Sequence, residues 1–151
     1  MIYFNKICSS EQWIKWINTT NNINYKDYFG RNALHHICQN NFLKNKIKII
    51  SLLIKKGIII NEIDYCGNNA LHLLCINELS NNLINLLLKN GININYRNLN
   101  GCTALHYICK YNASEEMISL LLKNGLNINI RDKYYCNACL LYTSDAADEE
   151  D

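Results

Sequence analysis

Proline is absent from this chain of 151 residues. Beside 26 Asn and 22 Ile, the absence reads as the codon bias of an A/T-rich source and not as a functional choice. Also missing is any apolar run near the roughly 18–20 residues that a membrane-spanning helix needs. The longest, Ile49-Ile50-Ser51-Leu52-Leu53-Ile54, is closed by Lys55 and Lys56. The opening Met1-Ile2-Tyr3-Phe4-Asn5-Lys6-Ile7-Cys8 has no basic start followed by a sustained apolar stretch, so it does not read as a secretory signal. A phosphate-cradling Walker loop, a dinucleotide-type glycine run and a serine nucleophile elbow are all lacking. Single acidic residues are scattered without a convergent pair. The chain is therefore expected to be non-catalytic and to use no cofactor.

Charge is present but unevenly placed. The formal net charge is +2, yet Asp145, Asp148, Glu149, Glu150 and Asp151 hold five of the 13 acidic groups. The rest of the chain has 15 basic against 8 acidic residues and is moderately basic. Eight cysteines without a secretory signal argue for reduced thiols in the cytosol or nucleus, not for a disulfide framework.

What dominates the sequence is repetition. Ala-Leu-His occurs three times, as Ala33-Leu34-His35, Ala70-Leu71-His72 and Ala104-Leu105-His106, each with a Gly five residues before the His, at Gly30, Gly67 and Gly101. A second signal follows each copy and ends on Gly57, Gly91 and Gly125, spaced by 34 residues twice. Self-similarity at that period means stacked supersecondary units, each unable to bury its apolar face alone.

Residues 61–95 show one unit. Asp64-Tyr65-Cys66-Gly67 is a turn signal, with Asp accepting backbone hydrogen bonds and Gly supplying positive φ. Residues 69–75 read as a short helix with small or apolar residues on one face, and residues 77–82 as the loop after it. Leu83, Ile84, Leu87 and Leu88 then recur at helical spacing. Gly91 caps that helix behind Lys89, and Ile92-Asn93-Ile94-Asn95 alternates as an extended arm.

This order of turn, helix, loop, longer helix, Gly and arm resembles the ankyrin repeat, and the match covers about residues 17–138. Thr103-Ala104-Leu105-His106 is similar to the family's Thr-Pro-Leu-His, with Ala for Pro, while Asn32 and Asn69 replace Thr in the other copies. The second-helix signature stands at Ile50/Leu53/Ile54, Ile84/Leu87/Leu88 and Ile118/Leu121/Leu122. Losing Pro from the first helical turn forgoes a preset φ but no hydrogen bond, so the first helix of each unit is expected to survive. The resemblance implies an all-α ankyrin-repeat solenoid of helix-turn-helix units with extended, hairpin-like finger loops.

Aligned on this pattern, residues 1–26 form a partial N-terminal unit, and 27–63, 64–97 and 98–131 are three full repeats. The first carries three extra residues within 39–47, since its His-to-Gly interval is 22 residues against 19 in the others. Ser9 and Gln12 fit a capping box, and Trp13 and Trp16 are placed to cover the exposed end of the first full repeat. Residues 132–138 begin a fourth unit, with Tyr135 where Gly belongs. Residues 139–151 match neither helix and are similar to translated sequencing-adapter sequence. They are expected to lie outside the native fold, and the chain is expected to be a fragment of a longer array.

His-x-x-Cys recurs at His35/Cys38, His72/Cys75 and His106/Cys109, a spacing that on a helix could share a metal or form a nucleophilic pair. Because it follows the repeat, the expectation is structural: His bonds the helix start and Cys fills a small packing slot. Cys136-x-x-Cys139 has no second pair at zinc-site distance, so no metal is expected. His36, off the repeat pattern, is expected half-exposed.

The resemblance implies recognition of another protein, by a chain acting as a monomer, through finger tips and the exposed side of the first helices. The tips are Tyr28-Phe29, Tyr65-Cys66, Leu99-Asn100 and Lys133-Tyr134. With them go Arg31 and Asn68 after the glycines, and Gln39, Asn77, Lys110 and Tyr111 near the helix ends. The alternative is nucleic acid or another polyanion on Lys44, Lys46, Lys48, Lys55 and Lys56.

Overall fold

A computed structural model describes residues 4, 7, 9–110 and 114–138. Seven α-helices lie among them: α1 (Ser10–Thr19), α2 (Ala33–Gln39), α3 (Lys46–Lys55), α4 (Ala70–Asn77), α5 (Asn81–Lys89), α6 (Ala104–Lys110) and α7 (Glu115–Lys123). Among the described residues there is no strand, and the isolated bridge between Arg131 and Asn137 is the nearest thing to a ladder. Tyr111, Cys139 and the tail to Asp151 lie outside the described residues, and so do the expectations placed on them.

Most helices start where the sequence supplies a cap. Ser9 accepts from the Gln12 N–H while Gln12 accepts from the Ser9 N–H. Asn32 and Asn69 cap α2 and α4, and Ser80 and Ser114 cap α5 and α7. Asn45, entering α3 in the left-handed region at φ 57°, makes no side-chain cap bond. Gly57, Gly91 and Gly125 follow α3, α5 and α7 at φ of 84°, 83° and 83°. There they turn the chain away after a last turn that carries Lys55, Lys89 or Lys123.

The helices form two rows. In one row α2 packs on α4 and α4 on α6. In the other, α1 packs on α3, α3 on α5 and α5 on α7, and the pairs α2–α3 and α4–α5 join the rows. α1 therefore takes the place of an outer helix, and buried Trp13 stacks on Phe4 with ring centroids 5.4 Å apart. Two sequence expectations need correction. Residues 70–75 of α4 are buried all round, not on one face, because α2, α6 and α5 enclose the helix. The loop after α4 is 78–80 instead of 77–82, because Ser80 captures the Leu83 N–H and starts α5 early. Residues 40–45 join α2 to α3, three more than join α4 to α5.

Successive pairs are clamped by asparagine. Asn61 donates from Nδ2 to the Gly91 carbonyl at 2.9 Å and accepts the Asn93 N–H at Oδ1 at 2.7 Å. Asn24 does the same to Gly57 and Ile59, and Asn95 to Gly125 and Asn127. One side chain thus satisfies a carbonyl and an N–H of the arm that follows the next outer helix. Between the clamp positions Ile92 and Ile94 point inward, as the alternation required.

Candidate docking edge

Each finger turn begins from an Asp or Asn whose side-chain oxygen accepts two backbone N–H groups. Asp64 Oδ1 accepts the N–H groups of Cys66 and Asn68, both at 2.9 Å, and Gly67 at φ 77° closes the turn. Asp27, Asn98 and Asp132 hold their own turns in the same way. Adjacent fingers are joined backbone to backbone. Tyr65 N–H donates to the Phe29 carbonyl at 3.0 Å, Leu99 N–H to Cys66 at 3.1 Å, and Lys133 N–H to Asn100 at 2.9 Å. At Gly67 a Cβ would stand 2.8 Å from Leu99 N, so any side chain there would push the next finger away. Tyr135 occupies the same turn position on the fourth finger at φ 63°.

The three repeat histidines lock each helix start to the following finger. His35 Nε2 donates to the Asn68 carbonyl and His72 Nε2 to that of Cys102, both at 3.1 Å, and His106 faces the Cys136 carbonyl at 3.4 Å. A carbonyl only accepts, so the proton sits on Nε2. Nδ1 then accepts the N–H of Asn32, Asn69 or Thr103. The copies differ in one respect. The Thr103 hydroxyl can donate to Nδ1 at 3.0 Å, whereas Asn32 Oδ1 and Asn69 Oδ1 stand 2.7 Å from it without a proton to give. Burial dominates in all three and lowers their pKa, that of His35 to about 4. Burial also pushes the Cys38 thiol up to about 12 and the Cys75 thiol up as well, which makes both inert packing groups. Among the described residues no group of three or more His, Cys, Asp or Glu could hold a metal ion.

The family description "ankyrin repeats (3 copies)" matches residues 5–98, and "ankyrin repeats (many copies)" matches residues 87–139. The chain belongs to the ankyrin-repeat family. It is an all-α ankyrin solenoid, and ankyrin repeats are in general non-enzymatic modules of protein–protein interaction. Comparison with curated proteins finds no match.

On this ankyrin edge the structure leaves Tyr28, Phe29, Tyr65 and Leu99 facing water, at 82%, 60%, 71% and 76% exposure. Tyr28 and Phe29 form an edge-on pair with centroids 5.8 Å apart, and the Arg31 guanidinium stands 5.6 Å over Phe29. Arg31 also reaches Asp64 at 3.3 Å and donates to Gln39 Oε1 at 2.8 Å, which links the first two fingers. Asn100 is exposed and accepts from Lys133 Nζ at 2.7 Å, and Lys110 is exposed at the end of α6. Asn77 is turned back onto the Leu73 carbonyl. Asn68 is withdrawn from the surface, because Asn98 Nδ2 donates to its Oδ1 at 2.9 Å.

His36 is more covered than expected. It pairs with Asp27 at 2.8 Å and lies against Phe4, with a centroid distance of 4.9 Å. The basic cluster loses a member in Lys46, whose ammonium is buried and paired with Glu78, while Lys44, Lys48, Lys55 and Lys56 stay exposed. Two features escaped the sequence reading. Phe42, 95% exposed, projects from the extra loop before α3, and Arg97 and Arg131 join the edge through the Arg97 bond to the Arg131 carbonyl at 2.9 Å.

Proposed function

We propose that the chain is a non-catalytic adaptor that docks a partner protein along its finger edge, with Tyr28, Phe29, Tyr65 and Leu99 as apolar anchors. The observation that carries this is the exposure of four large side chains on turns that backbone bonds hold rigid. Rigid aromatics bury much area on binding at small entropic cost. Arg31, Gln39, Asn100 and Lys110 supply polar contacts along the same edge. The free cysteines, two of them sealed in the core, suit a reducing cytosolic or nuclear setting.

The test compares the intact chain with a Tyr28→Ala/Phe29→Ala variant as bait in one cell extract, with retained proteins quantified. Proteins held by the intact chain and lost by an equally stable variant support the edge. Identical retention on both baits removes it. The second reading, a polyanion on Lys44, Lys48, Lys55 and Lys56, rests on their shared exposure on and around α3. Binding to a random duplex that collapses with modest added salt would favour it.

A further inference from the structure

The finger edge is not uniform in charge. On the first two fingers the cations are matched, Lys26 with Glu62 at 3.0 Å and Arg31 with Asp64 at 3.3 Å, and Asp27 accepts a hydrogen bond from His36 at 2.8 Å. On the third and fourth, Arg97, Arg131 and Lys133 are exposed, and none of the ion pairs among the described residues includes them. Arg97 donates from Nε and Nη2 to the carbonyls of Gly101 and Arg131, and Lys133 donates to Asn100 Oδ1, so their partners are neutral. The nearby acid, Asp132, is buried and faces into its turn, where Oδ1 accepts the N–H groups of Tyr134 and Cys136. On the same two fingers Leu99, Tyr134 and Tyr135 are all exposed.

We propose that this half of the edge receives an acidic segment of the partner protein, its carboxylates on Arg97, Arg131 and Lys133 and an apolar side chain against Leu99 and Tyr135. The inference rests on the finger edge being the docking surface. Charge complementarity names the sign of the partner, since three cations without counter-charges attract and orient carboxylates. Protein is favoured over nucleic acid because Leu99, 76% exposed on the same fingers as these cations, offers an apolar contact that a side chain fills and a phosphate backbone does not, and Lys133 Nζ covers one face of Tyr134 at 5.0 Å from the ring centroid.

The test selects binders for the full chain from displayed random peptides, then repeats the selection on Arg131→Gln/Lys133→Gln, which spares the Arg97 bonds. Peptides chosen by the intact chain should be rich in Asp and Glu around an aromatic or Leu. A synthetic copy should bind the double variant about tenfold more weakly, the equivalent of roughly 1.4 kcal/mol over two rim charges. Peptides without acidic enrichment, or equal binding to the variant, overturn the charge inference. A single-stranded oligonucleotide of equal charge that binds as tightly as the peptide overturns it in favour of a polyanion site. Peptides that ignore charge but fail on Tyr28→Ala/Phe29→Ala leave the docking edge standing. Peptides indifferent to both variants remove the edge as well.

Discussion

Tyr65 lies across Gly30: a Cβ on residue 30 would stand 2.7 Å from the tyrosine ring. The second finger thus leans its anchor on the first, so Tyr65 both faces water and helps set finger spacing. Gly30→Ala adds that clash to a φ of 75°, which costs an L-residue about 1–2 kcal/mol. Thermal denaturation should show a loss of about that size or more. Gly30→Ala in a Tyr65→Ala background should lose less, and an equal loss in both backgrounds would show that the ring contact is idle.

At the fourth finger the expected effect has the opposite sign. Tyr135 holds φ 63° with a side chain, so Tyr135→Gly removes about 1–2 kcal/mol of left-handed strain and adds about 0.5–1 kcal/mol of unfolded-state entropy. The variant should melt slightly higher than the parent. A lower midpoint would mean that the exposed ring contributes packing that outweighs its strain.

The buried histidines make stability depend on pH above the carboxylate range. His35 is held to about 4 when folded against 6.5 for the free side chain, so on acidification the unfolded chain takes up the proton first. Stability is complete above neutral pH and falls as pH drops through 6.5 toward 4. His36, His72 and His106 are shifted in the same direction. Burial raises the pKa of Asp27, but bonds from Arg31, His36 and Phe29 outweigh it, so its contribution is lost only below 3.8. Between pH 7 and pH 5, His35 alone should cost about 2 kcal/mol at 1.36 kcal/mol per pKa unit. His35→Gln should be less stable at pH 7 and show a shallower fall over that window. An unchanged slope would assign the pH dependence to other groups.

Lys46 and Glu78 should respond unequally to removal, because their side chains are 5% and 38% exposed. Glu78→Ala strands a buried ammonium, a defect costing up to about 3–5 kcal/mol in a fully buried pair and less here. Lys46→Met leaves a carboxylate that water can reach and places an apolar chain in the gap. Denaturant titration should rank Glu78→Ala as the worse of the two. The reverse order would show that Lys46 matters for its packing and not for its charge.

The sequence announces what is local. Gly57, Gly91 and Gly125, the Ser9–Gln12 box and the leucines of the outer helices all act within a few residues of themselves, so their pattern carries the fold. The burial of Lys46 and Asn68 is not legible locally because what covers them is far along the chain: Glu78 lies 32 residues from Lys46, and Asn98 lies 30 from Asn68. Arg97 and Arg131 read as ordinary surface cations until stacking sets their fingers side by side. The finger edge is a product of that stacking. Its aromatic tips are visible one turn at a time, but its division into a charge-matched half and a basic half is not.

The asparagine clamps of Asn24, Asn61 and Asn95 have a mechanical consequence. No bond in them joins residues more than 35 apart in sequence, so each ties a unit only to its neighbour. Pulled from its two ends, a stack joined by such clamps has no long-range clamp to break first. It should lengthen in discrete steps, peeling from whichever end yields. Each 34-residue unit would release roughly 115 Å of extended backbone, less the thickness it filled when folded. A partner seated across neighbouring fingers would bridge what the clamps leave separate, and would raise the force at which those units part.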